Sequence, residues 1–119
     1  MNQNLNEKQI RFQRDDIPTR LGNLASNLAR IKSFSNIAHK EVVSSVIYES
    51  KWFIEWTAAE IEPEQAEELF NIQVQLARWE LDWDKIWSDK NTRTQVAELA
   101  GIWSARVLDL SGLLSQSLR

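Results

Sequence analysis

The chain has no cysteine, one histidine, two prolines and three glycines in 119 residues. Without cysteine there can be no disulfide framework, thiolate metal site or cysteine nucleophile. One histidine cannot supply the paired Glu-x-x-His ligands of a ferritin-like di-iron bundle. No Gly-rich phosphate loop, Ser/His/Asp set or zinc-type spacing occurs. No window approaches the ~18 apolar residues of a membrane span. The opening stretch MNQNLNEKQIRFQRDD has charge without an apolar run, so neither leader nor anchor is expected and the location is read as cytoplasmic.

What is present is ordinary for one globular domain: 43% hydrophobic, 26% charged, with six tryptophans and a net charge of −3. The charge is unevenly laid out, at +4 over residues 1–40, −9 over 41–89 and +2 over 90–119. Opposite signs on different segments favour pairing within the fold or between subunits. No dense basic stripe stands ready for phosphates, so no nucleic-acid partner is expected.

Apolar residues recur at three and four, not two, which predicts an all-α fold. Residues 1–16 read as a short, polar, flexible arm and 17–119 as a single domain. Asp15 or Asp16 offers an N-cap and Pro18 suits a first turn, opening a helix to about Ser33 that buries Ile17, Leu21, Leu24, Leu28 and Ile31. Ser33, Ser35 and Asn36 mark a break. A second helix runs to Ile61 and a third from Pro63 to about Ser88. Thr92 with Gln95 forms the expected capping box of a fourth, which carries Val96, Leu99, Trp103, Val107, Leu110 and Leu114. Short connections make these an up-down-up-down antiparallel four-helix bundle.

The third helix has two apolar stripes, one with Leu69, Ile72, Leu76, Trp79, Trp83 and Trp87, the other with Phe70, Val74, Ala77 and Leu81. Gln73, Glu80 and Asp84 fall between them. The second helix likewise adds a flank of Tyr48, Trp52 and Trp56 to its apolar face. A monomeric bundle hides about one face per helix, so the extra apolar surface implies a broader core, the N-terminal arm folding back, or a second subunit, of which a homodimer or other protein partner is the expectation. The interface is expected at Tyr48, Trp52, Trp56, Trp79, Trp83 and Trp87, with no catalytic residue and no cofactor.

One end of such a bundle would collect Lys32, His39, Glu80, Asp84 and Arg93. His39, Glu80 and Asp84 are therefore the candidate ligands for a single metal ion serving a small metal-binding or hydrolase site. In the other reading Lys32 and Arg93 neutralise the two acids.

The stretch AHKEVVSS, residues 38–45, resembles the A-H-x-L-K-G-S-S pattern of histidine phosphotransfer domains. Ala38, His39, Ser44 and Ser45 match, whereas Val42 and Val43 stand where lysine and glycine belong. The resemblance implies a bundle with a phosphorylated histidine at His39. Glu64 and Glu67 are similarly spaced to the first E-x-x-E of MazG-type pyrophosphohydrolases. The second acidic pair is out of step: Trp83 comes three residues after Glu80 and Asp84 one later, a turn of ~100° that would misdirect a magnesium ligand.

Overall fold

The computed structural model describes residues 2–37 and 39–112, and over these the fold is all-α. Six helices are present among the described residues: α1 (Asn2–Gln13), α2 (Ile17–Phe34), α3 (Lys40–Ala58), α4 (Pro63–Leu81), α5 (Trp83–Ser88) and α6 (Lys90–Ser111). None is long and apolar enough to cross a membrane.

Local chemistry sets most of these boundaries. Asp16 caps α2, its carboxylate accepting the Thr19 N–H at 3.0 Å, and Pro18 sits in the first turn. The hydrogen bonds from Thr19 hold the Asp16 carboxyl below its usual range. Ser35 Oγ donates back to the Ile31 carbonyl at 2.6 Å, a local bond that competes with helix continuation where the break was expected. The second predicted helix stops at Ala58, short of Ile61. Pro63 opens α4 as read. The third predicted helix is interrupted at Asp82 (φ −104°, ψ 16°), which separates α4 from α5. Thr92 and Gln95 do not form the cap of α6. Asp89 does, accepting from Asn91 N–H at 3.3 Å and from the Thr92 hydroxyl at 2.5 Å, because it stands one helical turn earlier with its carboxylate facing the free amides. Gly112 closes α6 at φ 74°, in the left-handed region glycine enters without steric cost. Leu114 lies outside the described residues.

Helix directions follow from which residues meet. Between α2 and α3 the pairs are Asn27 with Glu49 and, across the turn, Phe34 with His39, so the helices run oppositely. Lys51 donates to Glu80 and Gln73 to Glu55 between α3 and α4, again in reverse order. Glu68 with Arg106 and Trp79 with Trp103 pair α4 with α6. These pairs also run in reverse order. The Ser104 hydroxyl donates to the Ala25 carbonyl at 2.8 Å, fastening α6 to α2. Leu24, Leu28, Ile31, Val43, Ile47, Ile54, Leu69, Leu76 and Val107 are closed off from solvent at the centre.

The N-terminal segment expected to be a flexible arm is instead a helix, and α1 lies along α3. Phe12 is buried, stacked on Phe53 at 4.2 Å and tilted against Trp56 at 5.8 Å, while Lys8 pairs with Glu49 at 2.9 Å. The buried Arg20 fastens the turn that follows. Its guanidinium donates to the carbonyls of Gln13 and Asp15, both at 2.8 Å, and to Glu60 at 2.6 Å. A buried guanidinium left unpaired would be costly, so this three-way bonding is what makes its position tolerable.

Candidate functional site

The end predicted to gather His39, Glu80 and Asp84 does not bring them together. His39 is exposed at the start of α3, its ring edge-on to Phe34 at 6.0 Å. Asp84 is 91% exposed and pairs with Lys40 at 2.6 Å, a hydrogen bond that raises the Lys40 ammonium above its ordinary value. Glu80 sits between α3 and α4, bonded to Lys51. The physical cause is angular. Trp83 points into the core, and Asp84, one ~100° step further, is carried out to solvent. Among the described residues no three acidic or histidine side chains stand close enough to hold a metal ion.

The basic partners also differ from the reading. Lys32 lies along Gly101 on α6, and the Arg93 guanidinium rests over the Trp87 ring at 5.0 Å. Lys40 and Lys51, not Lys32 and Arg93, neutralise Asp84 and Glu80. For the phosphotransfer resemblance, Ala38 lies outside the described residues and His39 occupies the N-cap position of α3 without a capping bond.

The tryptophan stripe was expected at an interface, yet Trp56, Trp79 and Trp83 are buried within the single chain. Trp79 stacks on Trp103 at 5.3 Å, and the Trp83 indole N–H donates to the Lys40 carbonyl at 3.0 Å. Trp56 is covered by Phe12 of α1, the folding back of the N-terminal segment that was one way to cover the extra apolar surface. Trp87 is half-buried beside Trp83 at 5.7 Å. Of the six predicted interface residues Tyr48 is exposed, and Trp52, like Trp87, is half-buried.

The second, narrower stripe of α4 is the one turned outward. Phe70 and Val74 are about half exposed, Leu81 is 86% exposed, and Ala77 lies between them. The stripe points away from Leu69, Ile72, Leu76 and Trp79, which fill the opposite face. Beside it α3 presents Tyr48 and Trp52, in edge-to-face contact at 6.5 Å. A cleft of about 350 Å³ runs between these rows, lined by Lys51, Trp52, Glu55, Gln73, Val74 and Ala77. Its polar floor is internally satisfied: the Gln73 amide donates to Glu55 at 3.0 Å and to the Lys51 carbonyl at 3.1 Å, and Lys51 pairs with Glu80. This resolves why Gln73 and Glu80 fall between two apolar stripes. They tie α4 to α3 and hold the groove floor in place.

Comparison with protein-family models, with curated proteins and with solved structures finds no match, so the groove is read from its own chemistry.

Proposed function

We propose that the chain is a non-catalytic association module whose working surface is the outer face of α3 and α4. The scaffold is a four-helix bundle of α2, α3, α4 and α6, with α1 strapped onto α3 and α5 finishing α4. A cytoplasmic setting suits a chain without cysteine.

The observation that carries this reading is the outward apolar stripe Phe70, Val74, Ala77 and Leu81, set against the aromatic wall of Trp52 and Tyr48. Single exposed apolar residues are ordinary, but a row of them at helical spacing beside an open groove is the form of a helix-docking surface. The intervals of four, three and four residues are those of a coiled-coil seam, narrower than the face a bundle core requires. The groove has hydrogen-bonded polar groups on its floor and apolar groups on its walls, so a helix can cover it without stranding a buried charge.

The test is the size of the complex formed in cell extract. The wild-type protein is expected to elute well above its 13.9 kDa monomer mass, and Val74→Glu with Leu81→Glu to return it to monomer size. Elution of the wild type as a monomer both in extract and as purified protein well above ~10 μM overturns the reading.

A further inference from the structure

Resting on that reading, we infer that the occupant of the groove face is a second copy of this chain, with α4 packed antiparallel to the same helix of the other copy about a two-fold axis. Phe70 then lies opposite Leu81 of the partner subunit and Val74 opposite the partner's Ala77. The pairing repeats symmetrically, so the four seam residues make four layers.

Charge selects this direction. Glu64, Asn71 and Arg78 recur every seven residues along the flank of α4 that lies away from α3, and Lys85 stands at the same interval past the Asp82 interruption, in α5, whose Trp83 and Ile86 continue the buried face. All four are exposed, and none of the ion pairs among the described residues involves Glu64, Arg78 or Lys85. In an antiparallel pair a flank row meets the same row of the other copy in reverse order. Glu64 therefore faces Lys85 of the partner subunit and Asn71 faces the partner's Arg78. A parallel pair would set this row against Gln73 and Glu80, both already bonded to α3. The antiparallel order also sets the two helix dipoles against each other.

The seam has a natural limit. Just beyond its ends Glu67 comes opposite Asp84 of the partner subunit, and like charges there confine close packing to the four apolar layers. Asp84 already pairs with Lys40, which softens that repulsion.

From Phe70 to Leu81 the seam extends ~16 Å, and with Trp52 and Tyr48 alongside it buries on the order of 400 Å² per copy, about half of a standard interface. An interface at this small end belongs to weak, reversible association, with a dissociation constant on the order of 10 μM or weaker.

Sedimentation velocity on the purified full chain, over a concentration series spanning that value, tests the proposal. The wild type should pass from monomer to dimer, and Leu81→Glu should stay monomeric with an unchanged helical circular dichroism spectrum. Glu64→Lys alone and Lys85→Glu alone should each weaken the dimer about tenfold, since each replaces two attractive pairs by two repulsions. Mixing the two variants should restore association, because the lysine introduced in one copy then meets the glutamate introduced in the other. A wild-type dimer whose strength neither reversal changes by more than about twofold, or a mixture no tighter than its components, overturns the antiparallel geometry. A purified chain that stays monomeric throughout, while the extract complex persists and remains sensitive to Val74→Glu with Leu81→Glu, removes the second copy as occupant and leaves the docking face intact.

Discussion

Two leucines five positions apart on one helix should behave as if they belonged to different proteins. Leu76 is fully buried, whereas Leu81 is 86% exposed. Truncating Leu76 to alanine removes apolar atoms from a closed core and leaves a cavity whose walls relax only in part, a combination that costs about 2–5 kcal/mol. The core, which includes Leu28, Ile47 and Ile54, is itself fully enclosed, which keeps the cost away from the low end of that range, at about 3–4 kcal/mol. For a domain of this size the loss lowers the melting temperature by roughly 10–16 °C. Leu81→Ala gives up little burial in the monomer and should cost no more than ~0.5 kcal/mol there. At concentrations where the dimer forms, its cost should grow, because anything that binds only the folded state adds to apparent stability. Urea unfolding followed by tryptophan fluorescence, at two protein concentrations, measures both effects. Equal costs for Leu76→Ala and Leu81→Ala in dilute solution would refute the assignment of inner and outer faces.

Other perturbations probe the remaining structure. Phe12→Ala should undock α1 at a cost of about 2–3 kcal/mol, below the full value for a buried phenylalanine because the helix can swing away instead of enclosing a cavity. Trp56, uncovered, should then shift its emission to the red, and an unmoved spectrum would show that α1 does not rest on it. Burial works to raise the Glu49 carboxyl, but hydrogen bonds from Lys8 and Asn27, with the charges of Lys8 and Arg30, outweigh it and hold it below the ordinary 4.5. A folded value below the unfolded one means stabilisation that is full above about pH 4.5 and is lost as the pH falls through the folded value. Glu49→Gln should therefore flatten the acid limb of the stability curve, and an unchanged limb would contradict the arrangement. Gly101→Ala should stabilise by about 0.5–1 kcal/mol through helix propensity. The added Cβ comes closest to the Lys32 Cδ, at 2.8 Å, and that exposed chain end is free to move. A lower melting temperature would show that Lys32 is held more firmly than its exposure implies.

The helical character, the Asp16 cap and the buried faces of α2 and α4 were legible because spacing and capping act locally. Leu21, Leu24, Leu28 and Ile31 all fall where their period put them. Both stripes of α4 were also visible, but not which of them the fold buries: Trp79 and Trp83, expected at an interface, lie inside, and Phe70, Val74 and Leu81 are exposed. Periodicity identifies a face and not its neighbour, and the neighbour is fixed by tertiary packing of Trp79 on Trp103 and Trp83 on the α3 backbone. The N-terminal helix was missed because one anchor, Phe12, holds a segment that is otherwise polar; Leu5, two turns earlier on the same face, is the signal that pointed to it. The candidate metal cluster failed because Asp84 stands one ~100° step from the buried Trp83 and His39 is exposed before α3, while the interruption at Asp82 falls where nothing in the sequence breaks the helical pattern.

The absence of native cysteine makes single-cysteine scanning of α4 the most direct measurement. Cysteine placed singly at positions 70, 74, 77 and 81 should be alkylated rapidly in dilute protein and become protected well above ~10 μM. Cysteine at 69, 72 and 76 should remain unreactive at every concentration. Equal reactivity on both sets, or no protection of the outer set at high concentration, would contradict the account.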